Sequence, residues 1–210
     1  MRVGIFGGTF DPIHLGHLRT AEEIGEGLNL DRVYLIPSAN PPHKDNEEVT
    51  PFNLRLEMAR IAKGDSPLLE VLDLEGERAG FSYSIETLKE IDSKLGEKAR
   101  LFFIIGEDAF LEIRTWKDYK SLFDYAHFVI IRRTGTRKGD IEEIISGMGA
   151  TIKGPDIYTM PSKKELIRFS TTALDISATR IRTIFRQGGS IRFLVTQNVL
   201  DYITEKGLYR

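Results

Sequence analysis

The chain has 210 residues, 41% hydrophobic and 29% charged, which allows one large domain with a sizeable core. A net charge of −2 gives no long-range case for nucleic acid or an anionic membrane, so a phosphate site would have to gather its positive charge locally. With no cysteine, disulfides and thiolate zinc sites are excluded; no apolar run approaches the roughly 20 residues of a membrane helix and no leader pattern opens the chain, so the expectation is a soluble cytoplasmic protein.

Short apolar runs at Val3–Phe6, Val33–Ile36, Leu69–Leu74, Leu101–Ile105 and Phe128–Ile131 read as buried strands. Helical patterns lie between them: Leu15–Leu28, Phe52–Ala62, Ile85–Leu95 and a broken stretch from Asp108 to Phe123. Short buried strands alternating with helices predict a parallel sheet covered on both faces, with right-handed crossovers: a doubly wound, Rossmann-like α/β fold. After Gly135 the pattern is less regular. Gly135–Gly139 is a basic loop, Asp140–Met148 a short helix, and Ile157–Met160 and Leu166–Leu174 are candidate strands. Ser177–Arg186 is a helix start with good N-cap chemistry, and Thr196–Lys206 a final amphipathic helix ended by Gly207. No linker or repeat interrupts the chain, so residues 1–210 are expected to form a single domain with the part from about 177 packed on it.

The richest stretch is Gly7-Gly8-Thr9-Phe10-Asp11-Pro12-Ile13-His14-Leu15-Gly16-His17-Leu18. A strand runs into a glycine-rich turn and then into a helix start. Glycine lets backbone approach an anion closely, and the first N–H groups of the helix have no partner within it. His14 and His17, three apart, share one helix face. Neither G-x-x-x-x-G-K-[ST] nor G-x-G-x-x-G occurs. The plain alternative is a turn followed by a polar helix face, but strand, Gly-Gly, Asp-Pro and H-x-x-H occur together.

Further clusters follow other strands. Pro41-Pro42-His43-Lys44 is a stiffened loop with two cations, and Gly106-Glu107-Asp108 ends the fourth strand. Together with His14 these lie on the rim at the carboxyl ends of the strands, where doubly wound sheets bind ligands. Ser82 or Ser84 reads as the N-cap of the third helix. Trp116, the only tryptophan, has core packing as its plain alternative. In Ile176-Ser177-Ala178-Thr179-Arg180-Ile181-Arg182, the Ser177 and Thr179 hydroxyls and N–H groups could hold phosphate oxygens. Arg182 offers a bidentate cation, whereas Arg180 faces elsewhere.

His14-Leu15-Gly16-His17 resembles the [HT]-x-G-H signature of the nucleotidyltransferases, and GGTFDPIHLGHL is similar to that of the bacterial nicotinate mononucleotide adenylyltransferases. The resemblance covers nearly the whole chain and is weakest from 135 to 170. It implies transfer of AMP from ATP to nicotinate mononucleotide, with Mg²⁺ arriving on ATP and no dedicated metal site. His14, His17, Lys44 and Arg182 are implied to act on the phosphates. Gly7, Gly8, Thr9, Phe10, Gly16, Gly106, Asp108, Ser177 and Thr179 are implied to bind ATP, and His43, Tyr83, Ser84 and Trp116 the mononucleotide. The P-P-H-K segment is implied to assist phosphate binding, the S-Y-S segment to hold the nicotinate ring, and Trp116 to stack on it. Ser84 replaces the family's usual threonine, and Thr196 stands where proline is common. Arg132 and Arg133 are both candidates to extend the ATP site. The alternatives are another phosphorylated acceptor, nicotinamide mononucleotide included, or a nucleotide sensor without catalysis. The missing glycine fingerprint disfavours an NAD-dependent oxidoreductase. Monomer and homo-oligomer both stay open.

Overall fold

The computed structural model describes residues 1–41, 49–78, 80–132 and 138–210. Eight strands form one sheet in the order β3-β2-β1-β4-β5-β8-β7-β6. They are β1 Arg2–Gly8, β2 Arg32–Pro37, β3 Leu69–Val71, β4 Arg100–Gly106, β5 Ala126–Ile131, β6 Thr151–Gly154, β7 Ile157–Thr159 and β8 Glu165–Phe169. The helices are α1 Leu15–Gly27, α2 Phe52–Ala62, α3 Ser84–Leu95, α4 Glu107–Leu111, α5 Tyr119–Tyr125, α6 Lys138–Gly147, α7 Ala178–Arg186 and α8 Gln197–Glu205. A 3-10 turn, Ile113–Thr115, separates α4 from α5, which is why the apolar pattern from Asp108 to Phe123 is broken.

Side chains alternate across the pleat, so β1, β2, β4 and β5 each feed two cores. Val3 and Ile5 of β1 join one core with Leu88 of α3, Phe110 of α4, Leu122 of α5 and Ile145 of α6. Phe6 points the other way, into a core with Ile24 of α1, Met58 of α2, Ile181 of α7 and Ile203 of α8. Helices on both faces of a sheet are the doubly wound arrangement that the strand–helix alternation predicts. Gly4 lies on the second face and packs tightly there: a Cβ would sit 3.0 Å from both Leu30 and Val33 side-chain carbons, so those side chains would have to give way.

The sheet is mixed rather than wholly parallel. Strands β3, β2, β1, β4, β5 and β8 run parallel, whereas β7 is antiparallel to both β8 and β6. The cause is local. Pro155 and Asp156 turn the chain in two residues, with Asp156 at φ 57°, too short a link for a parallel crossover. β6 carries no apolar periodicity, and Ile152 is exposed, so the pattern offers no strand there. The candidate strand Leu166–Leu174 stops at Phe169. Among the described residues no helix is long and apolar enough to cross a membrane.

The switch in strand order falls between β1 and β4. Register brings Gly8 opposite Pro37 and Phe6 opposite Ile104, so the carboxyl ends of β1, β2 and β4 open onto one crevice.

Candidate active site

The glycine-rich turn begins inside β1, which runs to Gly8. Gly7 is exposed, and a Cβ there would meet no atom nearer than 4.0 Å, so its bareness serves the crevice and not the packing. A Cβ on Gly8 would lie 3.1 Å from the Phe10 ring. Phe10 adopts φ 48°, uncommon for an aromatic residue, and its ring stands edge-on to Phe6 at 5.9 Å and to His17 at 5.0 Å. The turn therefore carries an inward aromatic wedge between strand and helix.

His14 is the N-cap of α1 and His17 its third residue. Their rings stack with centroids 3.6 Å apart and planes 22° from parallel. The His14 backbone N–H donates to His17 Nδ1 at 3.2 Å, so the neutral His17 ring carries its proton on Nε2. Gly16 lies between them: a Cβ there would stand 3.1 Å from the His14 ring and crowd the stack. That contact is the physical content of H-x-G-H.

Two buried or half-buried arginines hold this turn. Arg55 of α2, 1% exposed, donates from Nη1 to the Thr9 carbonyl (2.6 Å), from Nε to Thr50 (2.7 Å) and from Nη2 to Ala39 (3.3 Å). Burial pulls its pKa down, opposed by nearby Asp11. Arg182 of α7 donates from Nη1 to the Asp11 carbonyl at 2.7 Å, with Thr179 Oγ1 at 3.5 Å from its Nη2. Arg180, two residues earlier, is exposed, as the helical spacing predicts. Ser177 caps α7, its hydroxyl accepting the Arg180 N–H at 3.2 Å.

A cavity of about 540 Å³ opens beside the turn. Gly7, Gly8 and Thr9 form one wall, Tyr83 and Ser84 at the start of α3 another, and Gly106 and Trp116 close it. Trp116 is half-buried, its indole edge-on to Phe103 at 6.3 Å, so it both packs and faces the cavity. Asp108 is exposed in the first turn of α4. His14, Phe10, Gly16, His17, Ser177, Thr179 and Arg182 lie outside this cavity's lining and gather instead around the turn and α7. Phe6, which lines the cavity and packs 6.1 Å from the His17 ring, joins the two regions. His43, Lys44 and Arg133 lie outside the described residues. Arg132 sits just past β5, its Nη1 3.5 Å from Asp156.

One expectation is corrected. Neither Ser82 nor Ser84 caps α3; the N-cap is Tyr83, with no side-chain cap bond. The Ser82 hydroxyl instead accepts the Asn40 N–H at 3.1 Å, and the Ser82 N–H donates to the Asn40 carbonyl at 2.9 Å. These bonds tie the loop after β2 to the entrance of α3 and leave the helix start facing the cavity without a side-chain cap.

Sequence reasoning missed two charged residues of the cavity wall. Lys117 places Nζ 4.3 Å from the Tyr83 ring centre and 2.6 Å from Glu86, which holds its pKa up. Glu75, 7% exposed, accepts the Thr87 hydroxyl at 2.8 Å. Lys117 adjoins Trp116 and could have been found by that adjacency; nothing in the pattern around Glu75 signals a pocket.

The model of the cytidylyltransferase-like family matches residues 5–184. A protein of Desulfatibacillum aliphaticivorans named "Probable nicotinate-nucleotide adenylyltransferase" is 44% identical over the full length of both chains. One of the same name from Geotalea daltonii is 40% identical, over all of this chain and 98% of that one. Among solved structures, the Plasmodium falciparum nicotinic acid mononucleotide adenylyltransferase complexed with NaAD superposes with a TM-score of 0.77 at 20% identity, covering 99% of this chain and 97% of that one. At that identity the likeness speaks for the fold.

Proposed function

We propose, for a chain that belongs to the nicotinate-nucleotide adenylyltransferase family, that it transfers the AMP part of ATP to nicotinate mononucleotide. The products are the deamido form of NAD and pyrophosphate. The observation that carries this reading is the stacked His14–His17 pair beside a cavity faced by Trp116 and the start of α3. Such an arrangement suits two phosphorylated ligands meeting at the glycine-rich turn.

The attacking atom is a phosphate oxygen of the mononucleotide. A phosphate monoester has its second pKa near ~6 and is already a nucleophile at neutral pH. It forms a bond to the α-phosphorus of ATP while the bond from that phosphorus to the bridging oxygen breaks, and pyrophosphate leaves with the electron pair. No protein nucleophile is needed. Catalysis rests on alignment and on neutralising charge on the phosphoryl oxygens. The Nε2–H of His17 is a donor for that charge. His14, Lys44 and Arg182 complete the cationic set in this reading, and the N–H groups at the start of α7 hold phosphate oxygens. Among the described residues no three His, Asp or Glu side chains group closely enough to hold a metal ion. In this reading Mg²⁺ would arrive on the ATP phosphates and would offset their charge.

The pyridine ring lies against Trp116, an electron-poor ring on an indole face. Its carboxylate meets the first N–H groups of α3, which favour a carboxylate over an amide and so select nicotinate, while Lys117 at the rim is paired with Glu86. Replacement of His17 by Ala should lower kcat by roughly 100-fold or more with the fold intact, the scale of losing one donor to a developing anion. Pyrophosphate release with ATP and nicotinate mononucleotide measures it, and near-normal turnover in a folded variant rejects the role.

A further inference from the structure

The last residues of the chain reach the turn. α8 ends in a Schellman motif: the Leu208 N–H donates to the Ile203 carbonyl (3.0 Å), the Gly207 N–H to Thr204 (3.3 Å), and Gly207 takes φ 62°. The motif reverses the chain and delivers Tyr209 back toward the sheet. Its hydroxyl donates to Asp11 Oδ1 at 2.6 Å. Asp11, 2% exposed, accepts the Thr50 N–H on Oδ2 (3.1 Å) and Arg182 Nη1 on its carbonyl (2.7 Å). One residue of the turn is thus pinned at three atoms by three distant segments.

What the pin holds is costly to hold. Phe10, next to Asp11, sits at φ 48°, a region that costs a residue of its kind on the order of 1–3 kcal/mol unless its surroundings impose it. Arg55 fixes the carbonyl on the other side, at Thr9. Between these anchors the Phe10 ring is pressed edge-on against His17. Docking of α8 does not depend on Tyr209, because Val199 and Ile203 are fully buried on their own account.

We propose that Tyr209, the residue before the chain's last, is a positioning residue for AMP transfer. It acts through Asp11 on the Thr9–Asp11 turn and thereby sets Phe10 and His17. The proposal rests on the reaction given above. Burial and the neighbouring Asp11 hold the phenol's pKa far above its ordinary value, so it remains a donor throughout the working pH range.

The test is Tyr209→Phe, which removes one hydroxyl and keeps the ring. A lost hydrogen bond to a charged group corresponds to about a tenfold fall in kcat. The KM for the mononucleotide should change less than about twofold on the same scale, since neither Tyr209 nor Asp11 lines that cavity. The melting temperature should fall by roughly 2–8 °C with the cooperative transition retained, the scale of one buried acceptor left unmet in a chain of this size. Asp11→Asn should cause a similar loss, and the double variant should be no worse than the more impaired single one. The chain holds four histidines, so the ring NMR signals of His17 can be followed separately. They should shift in Tyr209→Phe with or without turnover. Unshifted His17 signals, a normal kcat, or fully additive losses overturn the proposal. A parent protein that releases no pyrophosphate while its His17 signals still respond to Tyr209→Phe sinks the proposed reaction and leaves the linkage standing.

Discussion

Individual side chains in this molecule are placed by contacts no more than a few ångströms deep, and the cost of disturbing them can be stated accordingly. Trp116 is the clearest case. Its indole stands perpendicular to the Phe103 ring at 6.3 Å, and Trp116 also lines the cavity. Trp116→Ala removes that part of the wall, and losing a stacked aromatic partner of about 1–1.5 kcal/mol raises the mononucleotide KM roughly tenfold. The KM for ATP should stay within about twofold, since His14, His17, Ser177, Thr179 and Arg182 lie outside the cavity that Trp116 lines. Steady-state kinetics with each substrate varied in turn will check this; equal losses for both would mean that Trp116 only packs. The pairing of the two imidazoles in H-x-G-H is legible in the amino-acid order alone, because three residues along a helix put two rings on one face. The reason for the glycine is not. It is the 3.1 Å approach of a would-be Cβ to the His14 ring, a distance no spacing rule contains.

Elements are legible in the sequence where one period dominates and obscure where none does. α2 begins and ends at the residues its pattern predicts, Phe52 and Ala62, and β1, β2, β4 and β5 extend one or two residues beyond their apolar runs. These strands are buried on both faces, so every residue contributes to the signal. β6 contributes none, because its side chains face solvent. The same edge hides an energetic feature. Arg168 of β8 is 5% exposed and donates from Nη2 to Glu107 of α4 at 2.7 Å, while its Nη1 lies 3.4 Å from Asp156 in the β6–β7 turn. The pair ties the antiparallel edge to the helix that carries Asp108 and follows Gly106. A sequence cannot signal it, since the partners are 61 residues apart. Arg168→Ala breaks a charge pair whose two side chains are both buried, which costs up to about 3–5 kcal/mol, far more than the intact pair contributes. Urea unfolding at neutral pH should show that loss, and replacing both residues by leucine should recover part of it. A loss below ~1 kcal/mol would place the pair among exposed bridges.

At the scale of the whole molecule, the candidate site lies at the carboxyl ends of the strands, and the opposite rim carries a titrating residue that bears on stability. His127, at the start of β5, is 4% exposed, and its ring lies nearly parallel to Phe102 with centroids 4.9 Å apart. The Glu165 N–H donates to its Nδ1 at 3.0 Å, which requires that nitrogen to be unprotonated. Burial first, then the positive charges of Arg100 and Lys164, push its pKa from 6.5 down to about 4, with Glu165 opposing. The folded protein therefore binds this proton only below about 4, whereas the unfolded chain takes it up near 6.5. Between those limits the unfolded state holds more protons, and stability rises with pH. The contribution is complete above the unfolded value and is lost as pH falls toward about 4, amounting to on the order of 3 kcal/mol across the window. His127→Asn keeps an acceptor for the Glu165 N–H and removes the titration. The parent should be the more stable protein at pH ~7.5, and its lead should shrink steadily as urea unfolding is repeated down to pH ~5. Two stability curves that stay parallel over that range would show that His127 titrates alike in the folded and unfolded chains, and that acid sensitivity arises elsewhere.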